Sequence, residues 1–184
     1  MRRARTFGRS RRDQDRAAAF ARRGVELGDS TGLSQTVIAA LRLHAGGDID
    51  AALADARASI ARRPTCHVSF AVAGSVHRYL GAWEAAVEAC QHAMQLSPMT
   101  KPWYSTVLAS AYYVGERYHE AAEAAVQIIH RYPDSTDPEI LLILAASQQA
   151  LGLPRRARAT AKAGIGFPRC AAVPAPPVPR SGHP

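Results

Sequence analysis

Residues capable of chemistry are scattered through the chain without a pattern that would unite them. The seven histidines are His44, His67, His77, His92, His119, His130 and His183. No two stand four apart with a glutamate between, the spacing by which one helix face offers two imidazoles to zinc. Surface or groove positions are the ordinary outcome for such a set. Cys66 adjoins His67, and an imidazole can activate a thiol, but no third residue stands ready to orient the ring. Glu84, Glu88, Glu120 and Glu123 fall at helical spacing, where solvated charge on an outer face is the usual arrangement. Every glycine is taken up by a turn, a basic arm or a close helix contact, which leaves none for a phosphate-cradling loop. The sequence offers no catalytic residue, no metal ligand and no cofactor site. It reads as a non-enzyme.

The concentrated chemistry is electrostatic. The chain carries a formal net charge of +8, and residues 1 to 23 hold nine arginines against Asp13 and Asp15. The rest is close to neutral, so the basicity belongs to an arm. Residues 1–12 have almost nothing to bury and are expected to be disordered. Arginines on flexible backbone neutralise phosphates without needing a shape, which allows a nucleic-acid-associated adaptor as one reading. A solubilising tail is the other. Phe7 is the only aromatic among the arginines of residues 1–12, so base stacking is not indicated.

The elements that must position everything else follow from a period. Gly81, Trp83, Ala86 and Pro98 recur thirty-four residues earlier as Gly47, Ile49, Ala52 and Pro64. They recur later as Gly115, Tyr118, Ala121 and Pro133, then as Gly152, Ala157 and Pro168, with slips of one to three residues. A fixed period in this range marks a solenoid of helix pairs. Four pairs are predicted: 34–45 with 49–62, 67–80 with 83–96, 103–114 with 118–131, and 138–151 followed by a helix from Pro154. Asp137, Pro138 and Glu139 supply an N-cap, a proline at the first helical position and an acid in the first turn of the fourth pair. A further helix over 13–27 has Asp13 as its expected N-cap, with Ala17, Phe20, Ala21 and Val25 on one face. Ala18 lies thirty-four residues before Ala52, so this helix is the second member of a pair whose first is missing. It is expected to fray or to be covered by something else. The last helix, 154–165, carries Arg155, Arg156, Arg158 and Lys162 and suits a polar terminal face. Residues 168–184 form a proline-rich tail expected to be disordered.

The repeat resembles the tetratricopeptide repeat (TPR), and the resemblance spans about residues 13–167. Its small residue in the first helix falls on Ala40, Gly74, Ala109 and Ala145. Its alanine in the second helix falls on Ala52, Ala86, Ala121 and Ala157. The resemblance implies an all-α, right-handed superhelix of about four and a half repeats, with the first helix of each pair lining a concave groove. By the same resemblance, the inward positions are Ser34, Val37, Leu41, His44 and Ala45 in the first pair. In the second they are Val68, Ala71, Ser75, Arg78 and Tyr79, and in the third Trp103, Thr106, Ser110, Tyr113 and Val114. The expected groove site comprises Val37, Leu41, His44, Ser75, Arg78, Tyr79, Trp103, Thr106, Ser110 and Tyr113. Aromatic residues and arginine dominate many interfaces, so an extended peptide or a partner helix is the expected ligand, with Arg78 on an acidic group. Trp103 and Tyr113 have a second role open to them, packing against the next repeat.

Residues 102–124 carry a narrower resemblance through Pro102, Trp103, Tyr104, Tyr112, Tyr113 and the run from Gly115 to Glu120. They are similar to repeats found beyond the catalytic domain in bacterial adenylate/guanylate cyclases. This likeness implies a regulatory or oligomerisation segment of a signalling protein, although the cyclase domain itself has no counterpart here. The expected function is a non-catalytic protein-interaction scaffold. Three cysteines without metal-type spacing, and arginines at the start with no apolar run behind them, fit a reduced cytoplasmic protein without a secretory signal. No apolar run is long enough to cross a bilayer. Oligomeric state is not encoded in any of these features.

Overall fold

The computed structural model describes residues 11–45, 47–98, 102–133 and 137–165. Among the described residues there are nine helices and no strand: α1 (Arg11–Glu26), α2 (Leu33–His44), α3 (Ile49–Arg62), α4 (His67–Tyr79), α5 (Trp83–Leu96), α6 (Pro102–Val114), α7 (Tyr118–Arg131), α8 (Pro138–Ala150) and α9 (Pro154–Ile165). The all-α repeat architecture expected from the period is borne out. Each helix packs against its chain neighbours. In addition α2 touches α4, α4 touches α6 and α6 touches α8, whereas no two of α1, α3, α5, α7 and α9 meet. A stack in which one set of helices stays in contact and the other fans apart is curved. The first helices of the pairs therefore line the inner side and the second helices the outer side.

Small side chains set the approach within each pair. Ala52, Ala86 and Ala121 have no exposed surface, and Ala157 is buried as well. Opposite them, Gly74 lies so close to α5 that an added Cβ would stand 2.6 Å from Cys90 Sγ and 3.2 Å from the Ala86 carbonyl oxygen. Burial in that contact pushes the Cys90 thiol up to about 12, so it acts as a small apolar filler. Ala109 matches Gly74 in being buried, but Ala40 and Ala145 are only half-buried. In those outer pairs Ala39 and the larger Ile140, Ile143 and Leu144 take over the core positions. Between α2, α3 and α4 the core is polar but satisfied. The Thr36, Ser59 and Ser69 hydroxyls are mutually 2.6, 2.7 and 2.9 Å apart, and Ser59 donates to the Gly32 carbonyl at 2.7 Å.

Two local expectations are corrected, and Gly115 has a role of a different kind from the other turn glycines. Asp13 is not an N-cap: the helix already includes Arg11 and Arg12, both good helix formers, and Asp13 sits in the first turn, where its charge suits the macrodipole. Phe20 does not join the buried face. It is 72% exposed, because Ala17, Ala21 and Val25 at four-residue steps already fill the contact with α2. Gly115 is not the left-handed residue of the third pair. Gly28, Gly81 and Gly152 have φ near +75°, but the corresponding residue there is Glu116, at φ 58°. Gly115 is needed for a different reason, since a Cβ on it would stand 2.4 Å from the Trp83 ring.

The flank of α1 left bare by its missing partner carries exposed Arg22, where α3, α5 and α7 bury Ala56, Cys90 and Ala125. A charged residue at that position suits water, not a docked helix. The turn after α1 is also fastened. Asp29 accepts from the Thr31 hydroxyl at 2.5 Å and from the Ser34 backbone N–H at 2.9 Å, which holds its carboxyl well below the usual range. The expected basic arm and proline-rich tail lie outside the described residues, apart from the helical Arg11 and Arg12.

Replacing Ala86 with Leu overfills the closest helix approach and should cost about 1–3 kcal/mol. Urea denaturation should show a lower midpoint at unchanged slope. An unchanged midpoint would mean that the repeat register drawn here is wrong.

Candidate functional site

On the inner side, residues from all four pairs come together around one guanidinium. Arg78, at the end of α4, donates through Nη1 to the Ser110 hydroxyl of α6 at 2.7 Å and to Glu139 Oε1 of α8 at 2.5 Å. The Arg78 and Glu139 side chains are only 13% and 24% exposed, so the pair lies low in the groove wall. His44, at the end of α2, feels both. It is exposed at the surface, yet the surrounding concavity depletes water around the ring. That desolvation, reinforced by the Arg78 charge and opposed by Glu139, lowers its pKa from the ordinary value. Four inner helices thus share one electrostatic centre.

This changes the part expected of Arg78. Its charge is already neutralised by Glu139, so it is not a free anchor for an acidic ligand. Glu139 was legible only as the acid that opens α8. The inward positions of the repeat, counted into the fourth pair, are Glu139, Leu142, Ala146, Gln149 and Ala150. Leu142 is 66% exposed, and Val37, at the equivalent position of the first pair, is 40% exposed. Two uncovered aliphatic side chains therefore stand on the inner helices α2 and α8, at either end of the row. Leu41 and Ser75 are half-buried beside them, and the Ser75 hydroxyl donates to its own helix at the Ala71 carbonyl.

The expected aromatic anchors belong largely to the packing. Trp103 lies against Ala39, Ala56, Val72 and Ala73 on one side and against Ala71, Ala93 and Tyr104 on the other. Tyr79 packs on Leu43, Ala52 and Val76, with the Arg78 guanidinium 4.6 Å from its ring centre. Tyr113 packs against the α7–α8 cluster and stacks on Tyr118, with centroids 5.6 Å apart. Thr106 is buried and turns its hydroxyl to the Pro102 carbonyl, while Ser110 is consumed by Arg78. All three aromatics are half-buried, so each keeps only an edge toward the groove.

The other chemical candidate, Cys66–His67, is structural. Cys66 is buried at the start of α4, and His67 Nδ1 is bonded to the Tyr104 hydroxyl at 2.5 Å. Tyr104 is fully buried and its pKa is raised to about 12 by desolvation and the nearby Cys66, so it keeps its proton. The imidazole serves the α4–α6 contact. Among the described residues, no group of three or more histidine, cysteine or acidic side chains is placed to hold a metal ion. No described helix is long and apolar enough to cross a membrane.

No protein-family model matches the chain, and no curated protein matches it. Its likeness is to solved structures. One is the crystal structure of MamA, at 16% identity over 83% of this chain and 87% of that chain, with a TM-score of 0.65. Another is the MamA RS-1 ArsTM double mutant, at 14% identity over 84% and 85%, with a TM-score of 0.67. A third is TTC0263, a thermophilic TPR protein of Thermus thermophilus, at 18% identity over 83% and 82%, also with a TM-score of 0.67. At such identities the likeness establishes the fold: a tetratricopeptide-type helical solenoid.

The electrostatic centre has a measurable signature. The His44 imidazole should titrate below its ordinary value of 6.5. Its contribution to stability is therefore complete above that value and lost as pH falls through the lower folded-state one, because the unfolded chain binds the proton first. NMR titration should show the His44 pKa rising in Arg78→Met and falling further in Glu139→Gln. An unchanged value in both variants would remove His44 from the cluster.

Proposed function

We propose that the chain is a non-catalytic scaffold that binds a protein partner in its concave groove, taking an apolar stripe of a helix or extended peptide. The observation that carries this reading is the pairing of charge neutrality with exposed aliphatics. Arg78 and Glu139 cancel across α4 and α8, while Val37 and Leu142, which hold the inward position of the repeat by its resemblance, remain uncovered on α2 and α8. A leucine two-thirds exposed on an inner helix offers apolar contact area that a ligand can cover. Half-buried edges of Tyr79, Trp103 and Tyr113 add rigid contact area with little further entropy to lose. The groove therefore selects for shape and apolarity, not for an acidic group.

The stretch from Pro102 to Ala124 supports a second reading through its likeness to cyclase-associated repeats. On that reading the scaffold serves a regulatory or oligomerisation role beside a signalling enzyme, and finding a cyclase encoded next to this chain would favour it. The basic arm leaves a nucleic-acid-associated adaptor as a further alternative, marked by a steep salt dependence of DNA or RNA binding.

The test is direct. A photo-crosslinking amino acid at position 142 should trap a partner that the same group at Glu123 on the outer helix α7 does not. With that partner in hand, Leu142→Asp and Val37→Asp should each weaken binding by about tenfold or more, since a carboxylate replaces buried apolar contact. Helicity should be retained, because both positions are exposed. Equal affinity in both variants would overturn the groove as the binding surface.

A further inference from the structure

The outer ridge of the solenoid reverses its character along the chain. On α1, the residues facing solvent at three- and four-residue steps are Arg12, Arg16, Phe20, Arg23 and Leu27, the last just beyond the helix. All five are exposed, Phe20 by 72% and Leu27 by 70%. In α5, two repeats later, the ridge positions matching Arg16 and Phe20 hold Glu84 and Glu88, followed by Gln91 and Gln95. All four are exposed. Neither Glu84 nor Glu88 forms an ion pair with another described residue. Leu80, 42% exposed, stands three residues ahead of α5. The intervening ridge on α3 is mixed, with Asp50, Ala54 and Arg57 at the corresponding positions.

We propose that these two ridges are the halves of a self-association contact, in which α1 of one copy lies antiparallel along α5 of a second copy. Read backward from Leu27, the α1 ridge advances in steps of four, three, four and four. Read forward from Glu84, the α5 ridge advances in steps of four, three and four, and Leu80 stands just ahead of it at the end of α4. The antiparallel register sets Leu27 by Leu80, Arg23 by Glu84, and Arg16 beside Glu88 and Gln91, with Phe20 over the aliphatic stem of Glu88. Within one molecule the halves never meet, because α1 touches only α2. The Arg23–Glu26 pair is solvated at both ends, with side chains 66% and 63% exposed, so exchanging it for Glu84 costs little. A two-fold contact of α1 on α1 would instead oppose arginine to arginine. Because the halves differ, the contact is heterologous and builds rows or rings of copies, not a closed pair. The concave groove stays open in such a row.

The test uses the full chain, freed of nucleic acid, in sedimentation velocity across a wide concentration range at low and high salt. The wild type should associate, and less so at high salt. Arg16→Glu with Arg23→Glu should weaken association by about tenfold or more, as should Glu84→Lys with Glu88→Lys. Mixing these two double variants should restore it, since each then offers the charge that the other has reversed. All four sites are exposed, and circular dichroism checks that helicity is kept. A wild type that stays monomeric overturns the proposal. So does association that survives Glu84→Lys with Glu88→Lys, as an α1-on-α1 contact or an unrelated surface would give. A mixture that remains monomeric overturns it as well.

Discussion

The structure depends on how closely the two helices of a pair approach each other. Ala86 and Gly74 leave no room for a side chain between α4 and α5, and Ala52, Ala121 and Ala157 hold the same place in the other pairs. Close approach removes the bulky residues from the centre of each pair and moves them to the joints between pairs. There Tyr104, Val76 and Ile140 are fully buried. A pair on its own would leave those side chains bare, so each repeat is stable only against its neighbour. The same geometry keeps the inner helices in contact and spreads the outer ones. Groove and ridge are therefore consequences of where alanine and glycine fall.

Much of this was legible in the sequence because it is local. The bounds of α3, α5, α7 and α9 follow from the residues that punctuate them, and the N-cap role of Asp137 follows from Asp-Pro-Glu; its side chain accepts from the Glu139 N–H. What was not legible depends on partners distant in the chain or on a choice between adjacent faces. Phe20 fits the apolar face of α1 by spacing, yet three smaller residues fill that contact first. Gly115 looks like a helix breaker, and its constraint comes from the Trp83 ring thirty-two residues earlier. Arg78 reads as a free cation because its counter-ion is sixty-one residues away on α8.

The site that results is unlike an active site in its chemistry. Its one buried ion pair is closed on itself, its serine and threonine hydroxyls are spent on helix carbonyls or on Arg78, and its histidine is pushed toward the neutral form. A pair of this kind contributes little net stability, because desolvating two charges offsets most of their attraction. It does fix the relative placement of α4, α6 and α8, which sets the width of the groove. What such a groove is suited to is shape recognition of an apolar surface.

That claim is tested most directly by methyl NMR of the chain with and without its trapped partner. Binding should shift the methyl resonances of Val37, Leu41 and Leu142 on α2 and α8, while Val126 on the outer helix α7 and Leu153 stay in place. Shifts confined to Val126, Leu153 or Leu27, with the groove methyls unmoved, would contradict it.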